Sequence, residues 1–118
     1  MFRIANPIGV KIGPSTSEDD LAELVKILNP HKVKLIYNFI WLMFSKEAGK
    51  LTLITRYGCT QIDTKLPLHI QAVQKTGVPV VWVCDPCHGN TEVTADGLKT
   101  RSTEKMMLEL MKAFEIHR

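Results

Sequence analysis

The sequence VPVVWVCDPCHGNT at residues 78–91 decides how the rest of the chain is interpreted. Residues 78–84 are apolar apart from Pro79 and rich in β-branched and aromatic side chains, which predicts a parallel strand buried on both faces. A short loop follows directly, in which Asp85, Cys87 and His88 have chemically active side chains, and Gly89 and Asn90 suit a turn whose backbone approaches another group closely. Since ligands of α/β folds bind at the carboxyl ends of strands, this site loop is the first candidate for function.

Composition sets modest limits on the class of protein. The chain has 118 residues, of which 45% are hydrophobic and 23% charged, as expected of one α/β domain. A net charge of +3 with dispersed Lys and Arg does not indicate a nucleic-acid partner, but small anions fit it. No apolar run approaches the ~18 residues that span a bilayer, so no membrane association is expected. Three cysteines favour a reducing compartment over a disulfide framework.

Strand and helix signals alternate along the chain. Strands are predicted from Ile8, over residues 51–55 and over residues 78–84, and each precedes a helical pattern. The helices are predicted to begin after caps at residues 15–17, near Ile62 and at Ser102. An apolar stripe in the last helix is expected to pack in the core: Met107, Leu110, Met111 and Phe114. Three successive βα units predict a parallel sheet with right-handed crossovers.

Charged residues stand at the predicted carboxyl ends of all three strands. Lys11 lies in the first strand, Arg56 follows the second, and Asp85 and His88 follow the third. In a parallel sheet these ends share one edge, so the side chains should converge. A lysine beside an arginine suits a phosphate or a carboxylate.

The CDPCH sequence at residues 84–88 also matches two short motifs of other protein classes. The pattern Cys-x-x-Cys-His is typical of covalent haem attachment, and Cys-x-x-Cys alone of a redox pair or half a zinc site. Such short motifs have low specificity. Cys84 ends an apolar strand, which favours a buried core residue instead. His88, between a cysteine and a glycine on the loop, is better placed to act as a ligand or acid/base group.

Four ordered motifs resemble class II (plant-type) 3-deoxy-D-arabino-heptulosonate 7-phosphate (DAHP) synthase. They are NPIGVKIGP at 6–14, LTLITR at 51–56, PVVWVCDPCHGNT at 79–91 and GLKTR at 97–101. The resemblance covers nearly the whole chain. It implies a metal-dependent (β/α)8 TIM barrel that condenses phosphoenolpyruvate with erythrose 4-phosphate, at the entry to the shikimate pathway and chorismate. It also implies homo-oligomers and, for the plant-type enzymes, a plastid location; otherwise a cytoplasmic one is expected.

Individual residues take roles from this resemblance. Lys11 and Arg56 would bind phosphoenolpyruvate, and His88 would be a ligand of a divalent metal, with Mn²⁺ expected and Co²⁺ an alternative. Asp85, Lys99 and Arg101 are expected nearby, with loop stabilisation through salt bridges as the alternative to direct contact. The catalytic groups themselves are not assigned. The family motif usually has methionine where Cys87 stands, which weakens the haem interpretation.

Two departures from the family pattern affect the prediction. Three of eight barrel units are expected, so residues 1–118 are interpreted as a partial barrel domain that is inactive alone. Residues 33–46 are predominantly apolar and are interpreted as an insertion, because joining Lys32 to Glu47 restores a family-like sequence. A retained intron or an error in the gene structure is the hypothesis for its origin. If it is translated, the segment is expected to pack as an extra apolar helix against the exposed sheet or to promote aggregation.

Two other functional classes stay open at this point. One is a non-catalytic anion-binding or interaction module that keeps Lys11 and Arg56 but catalyses no condensation. The other is a haem or redox protein built on the cysteine motif at residues 84–88.

Overall fold

A computed structural model describes residues 6–30 and 48–118 of the chain. Three parallel strands form a sheet in the order β1-β2-β3, and each is followed by a helix. The elements are β1 Ile8–Ile12, α1 Glu18–Leu28, β2 Leu51–Thr55, α2 Ile62–Thr76, β3 Val81–Cys84, β4 Thr91–Val93, β5 Lys99–Arg101 and α3 Thr103–His117. The predicted βα alternation and parallel sheet are therefore confirmed. The predicted insertion at residues 33–46 lies outside the described residues.

The sheet has one face covered by helices and one that the described residues leave open. Leu51, Leu53 and Thr55 alternate toward the helices and are buried, in one cluster with residues of α1, α2 and α3. The opposite face carries Val81 and Val83, which are 42% and 44% exposed. The prediction that β3 is buried on both faces is therefore wrong for the described chain, because helices cover only one side.

Local signals explain where the first two helices begin and end. The side chain of Ser17 accepts a hydrogen bond from the backbone N–H of Asp20, which satisfies one of the free donors at the start of α1. Helix α2 ends at Gly77, whose φ of 63° is the left-handed conformation that glycine adopts readily. Leu21 and Leu66 are fully buried, so α1 and α2 each face the core through apolar residues.

A short antiparallel hairpin lies between the site loop and α3. Strands β4 and β5 pair Glu92 with Thr100, and a turn at Asp96-Gly97 connects them. Gly97 has a φ of 79°, which the turn requires and a β-branched residue would resist. The strands themselves were not predicted, since they are only three residues each and largely exposed.

Helix α3 packs on a different face from the predicted one. The expected core residues Met107, Leu110, Met111 and Phe114 are 44–75% exposed. Glu109 and Ala113 are buried instead, with Met106 and Ile116 partly so. The reason is that Glu109 finds N–H donors beneath the site loops, whereas the apolar stripe has no large apolar surface to cover among the described residues. Within those residues, no helix combines the length and hydropathy needed to cross a membrane.

A buried hydrogen-bond chain joins β2, α2 and the loop before α1. The Nε2 of His69 lies 3.0 Å from the carbonyl oxygen of Thr16, so this nitrogen must donate. The Nδ1 then accepts from the hydroxyl of Tyr57, 2.6 Å away. Both ring nitrogens of a neutral imidazole are thus satisfied. Burial lowers the pKa of His69 despite the raising effect of the Thr16 carbonyl, and burial, followed by the charge of Glu109, raises the pKa of Tyr57.

The correction to α3 gives a first prediction. Phe114 is 75% exposed, so we expect Phe114→Ala to change the free energy of unfolding by less than about 0.5 kcal/mol. Leu66→Ala, at a fully buried position, should cost about 2–5 kcal/mol. Urea denaturation of both variants measures the difference. An equal loss in the two would mean that α3 packs through the apolar stripe after all.

The state of His69 gives a second prediction. The unfolded chain binds a proton at a pKa of about 6.5, and the folded chain binds it at a lower pKa. The stability that depends on neutral His69 is therefore fully present above the pKa of the unfolded chain and is lost as the pH falls toward the folded pKa. The free energy of unfolding should fall as the pH drops from about 7.5 to 5. A His69→Gln variant should be less stable at pH 7.5 but show a shallower pH dependence. Denaturation across this range tests it, with Val25→Ala as the control because it removes buried apolar contacts but no titratable group; an unchanged slope in His69→Gln would contradict the prediction.

Candidate functional site

The parallel register places three of the predicted site residues at one edge of the sheet. Lys11 pairs with Ile54, which pairs with Val83, in one row across the open face. Arg56 and Asp85 follow directly after β2 and β3, tied to the neighbouring strands by hydrogen bonds from their backbone N–H groups to Ile12 and Thr55 at 3.0 and 2.7 Å. The predicted convergence at the strand ends is therefore present in the structure.

Asp85 is the centre of this edge. One carboxylate oxygen, Oδ2, accepts from Lys11 Nζ at 3.2 Å and from His88 Nδ1 at 2.6 Å. The other, Oδ1, accepts from the backbone N–H groups of Cys87 and His88 at 3.1 and 3.4 Å. Partial burial acts to raise the pKa of Asp85, but the hydrogen bonds from His88, Lys11 and the two backbone groups outweigh it and lower the pKa. Asp85 therefore stays ionised and joins the ends of β1 and β3.

The imidazole of His88 is oriented by this carboxylate. Since an ionised Asp85 can only accept, Nδ1 carries a proton, and in the neutral imidazole Nε2 then has the lone pair. The His88 side chain is 49% exposed, and Nε2 has no hydrogen-bond partner among the described residues. A histidine whose Nδ1–H is bound by a carboxylate is the usual arrangement of a metal-ligating imidazole. His88 therefore fits the role of one metal ligand.

Arg56 lies exposed beside the end of β1. A Cβ atom added at Gly13 would lie 3.7 Å from Arg56 Cγ and 3.9 Å from its Nε, so the arginine stem passes over the backbone of this glycine. Within residues 6–30 and 48–118, no carboxylate forms an ion pair with Arg56. Its planar guanidinium is therefore available for bidentate binding of an anion.

Lys99 and Arg101 lie on strand β5 and are both exposed. The Nε of Arg101 donates to the carbonyl oxygen of Cys87 at 2.9 Å, which connects the hairpin to the site loop. Arg101 therefore contacts the loop through a main-chain carbonyl and not through the salt bridge that had been the alternative. Lys99 forms no ion pair within the described ranges.

The two cysteines of the CDPCH motif have different surroundings. Cys84 is partly buried against the core and lines a cleft of about 270 Å³ between β3 and α3, whereas Cys87 is exposed on the loop. Burial and the charge of Glu109 raise the pKa of the Cys84 thiol, which lowers its thiolate fraction and its reactivity. Both are free thiols. Within the described ranges, no three His, Cys, Asp or Glu side chains group closely enough to hold a metal.

Glu109 was missed altogether in the sequence analysis, and Asn90 was assigned only to the turn of the site loop. Glu109 is fully buried and accepts hydrogen bonds from the backbone N–H groups of Tyr57 and Gly58 at 2.9 and 3.0 Å and from Asn90 Nδ2 at 2.6 Å. Asn90 also accepts from the N–H of Cys59 at 3.0 Å and donates to Pro86 O at 2.7 Å. The sequence offered one signal for the burial of Glu109. It lies three residues after Met106 and four before Ala113, and this spacing places it on the partly apolar face of α3.

The fold and this edge define a class of protein. They are a βα-repeat domain whose strand ends present two cations and a carboxylate-oriented histidine. The model of the class-II DAHP synthetase family matches residues 1–118, so the chain belongs to that family.

Curated relatives from fungi, bacteria and plants agree with this assignment. The chain is 44% identical over 117 residues to phospho-2-dehydro-3-deoxyheptonate aldolase of Neurospora crassa, covering 98% of this chain and 21% of that protein. It is 41% identical over 114 residues to the protein of that name from Mycolicibacterium smegmatis, covering 97% and 22%. A probable chloroplastic enzyme of that name from Catharanthus roseus is 35% identical, covering 97% and 20%. The chain thus spans about a fifth of the length of these relatives.

The Asp85–His88 pair gives a third prediction. In Asp85→Asn, the two backbone N–H donors should hold the amide oxygen at the Oδ1 position, so the amide NH₂ would face His88 Nδ1. The imidazole should then move its proton to Nε2. Long-range ¹H–¹⁵N spectra of the histidine side chains at pH 8 distinguish the two tautomers, with Asp96→Asn on the hairpin turn as control. Retention of the Nδ1–H form in Asp85→Asn would refute the assigned role of Asp85.

Proposed function

We propose that this chain is the phosphoenolpyruvate-binding and metal-contacting part of a 3-deoxy-7-phosphoheptulonate synthase, which condenses phosphoenolpyruvate with erythrose 4-phosphate. The observation that supports it is the placement of Lys11, Arg56 and the Asp85–His88 pair at one sheet edge, on the open face. Family membership and the names of the relatives agree with it.

The two cations match the charges of phosphoenolpyruvate, which carries a phosphate and a carboxylate. Arg56 can bind either group with two parallel hydrogen bonds. Lys11 uses one of its three N–H donors on Asp85, which leaves two for the ligand. Because Lys11 is held by Asp85 before the ligand arrives, little side-chain freedom remains to be lost on binding.

His88 is the residue that would hold the divalent metal, through Nε2. Asp85 keeps the imidazole in the required tautomer and orientation. When bound, the metal supplies Lewis acidity toward the aldehyde carbonyl of erythrose 4-phosphate. Mn²⁺ is the proposed metal and Co²⁺ the alternative. Arg101 stiffens the loop through its bond to Cys87 O, and Lys99, two residues along the same strand, would add positive charge near the second substrate.

The remaining elements of the proposal concern the whole enzyme. The described sheet would be three consecutive units of a (β/α)8 barrel, with its open face toward the barrel axis, in a homo-oligomeric enzyme. Since the chain spans about a fifth of its relatives, we assign to it the binding of phosphoenolpyruvate but not turnover by itself. A plastid location stays a prediction, and its support is the chloroplastic relative from Catharanthus roseus.

Calorimetric titration of the chain with phosphoenolpyruvate tests the proposal. We expect Arg56→Ala and Lys11→Ala each to weaken binding roughly 10- to 100-fold, because each removes charge-assisted hydrogen bonds. Lys26→Ala, an exposed lysine near the end of α1, is the matched control and should bind normally. Adding Mn²⁺ should tighten binding in the parent chain, and His88→Ala should abolish that effect.

Three other results would change the conclusion. Absence of phosphoenolpyruvate binding in the parent chain would remove the proposed function. Binding that ignores Mn²⁺ and His88 would favour the non-catalytic anion-binding module. Condensation of erythrose 4-phosphate by the purified chain would show that the chain is active alone and overturn the restriction to binding.

A further inference from the structure

We propose that Glu109 is a positioning residue that sets the distance between Arg56 and His88. This inference rests on the proposed function, because the distance matters only if those two residues serve one ligand site. Glu109 lies on α3, away from the open face, and touches neither of the two side chains. It acts on them through the backbone segments that carry them.

The first segment is the one that carries Arg56. Both Tyr57 and Gly58, the next two residues along the chain, donate their backbone N–H groups to Oε1 of Glu109 at 2.9 and 3.0 Å. Strand β2 ends at Thr55, and the N–H of Arg56 still bonds to Ile12 O at 3.0 Å. From Tyr57 onward the bonds to Glu109 support the chain instead.

The second segment is the loop that carries His88. Asn90, two residues farther on, donates its amide to Oε2 of Glu109 at 2.6 Å and to Pro86 O at 2.7 Å. Its amide oxygen accepts from the N–H of Cys59 at 3.0 Å. Asn90 is buried, so its amide is tied to the loop before it, to the β2 segment and to Glu109 at once.

The two segments are in direct contact above this carboxylate. A Cβ atom at Gly89 would lie 2.3 Å from Gly58 N, and one at Gly58 would lie 2.6 Å from Gly89 O, so neither position has room for a side chain. The contact sets the closest approach of the two segments, and Glu109 keeps them together through its hydrogen bonds to both.

The buried carboxylate of Glu109 requires that its hydrogen-bond donors stay in place. The side chain is fully buried, and in the described part of the chain no Lys, Arg or His forms an ion pair with it. Its carboxylate is therefore stabilised by three N–H donors alone, and each must stay in place. A glutamine at 109 would present an NH₂ group to the NH₂ group of Asn90. Asn90 cannot rotate its amide to accept without losing its bonds to Cys59 and Pro86.

The test compares Glu109→Gln with Val25→Ala. Val25 is fully buried in α1, so its truncation lowers the melting temperature without touching the site loops. We expect Glu109→Gln to weaken phosphoenolpyruvate binding by roughly 10-fold or more, because a small displacement of a binding group is costly. Val25→Ala should leave the affinity unchanged, measured where both variants are folded.

A second readout needs no ligand. The nuclear Overhauser effect between the Gly89 Hα protons and the Gly58 amide proton reports the contact of the two segments. We expect it in the parent chain and in Val25→Ala, and expect its loss in Glu109→Gln. If Glu109→Gln does not fold, Gly89→Ala separates the segments by steric contact instead and should give the same loss of affinity.

The outcomes separate this inference from the proposed function. If the parent chain binds phosphoenolpyruvate and Glu109→Gln, or Gly89→Ala in its place, binds equally well, the positioning role is wrong and the function stands. If the parent chain does not bind but the Overhauser effect is lost in Glu109→Gln alone, the function is wrong and the control of loop spacing stands. Retention of that effect in Glu109→Gln overturns the positioning role in either case.

Discussion

The buried carboxylate of Glu109 is the interaction on which the arrangement of the site loops depends. Backbone hydrogen bonds tie the chain to the sheet as far as Arg56 and Asp85, the first residues after β2 and β3, and the rest of the functional loops lies beyond them. From there the N–H groups of Tyr57 and Gly58 and the amide of Asn90 all point to one side chain. A buried carboxylate is tolerated only when such donors compensate for lost water, so the helix and both loops can pack only together.

Much of the fold could be predicted because its signals are local. Apolar β-branched runs, the Ser17 cap and the glycine at the end of α2 act within a few residues, and each element was found close to its predicted place. The convergence of Lys11, Arg56 and His88 also followed, since parallel strands with helical crossovers must place their carboxyl ends at one edge. Their roles in binding stay predictions.

The parts that were missed depend on partners distant in the sequence. Nothing near Glu109 indicates that two of its donors come from residues 52 and 51 positions earlier and the third from 19 positions earlier. Likewise, nothing near His69 indicates the carbonyl of Thr16. A carboxylate is normally assigned to the solvent side of a helix, so the apolar stripe around Phe114 was assigned to the core. In the described chain the two residues have exchanged places: Glu109 is buried beneath the loops with its hydrogen-bond donors, whereas Phe114 remains 75% exposed.

The CDPCH sequence shows why spacing alone does not assign chemistry. Haem attachment and thiol redox chemistry need both sulfur atoms available to one group. Here β3 ends at Cys84, whose side chain packs toward α3 with a raised thiol pKa. The turn made by Asp85 then leaves Cys87 exposed on the loop. The same turn brings His88 Nδ1 onto the Asp85 carboxylate. The end of the strand therefore leaves Cys84 against α3 and Cys87 on the exposed loop, while it joins the aspartate to the histidine.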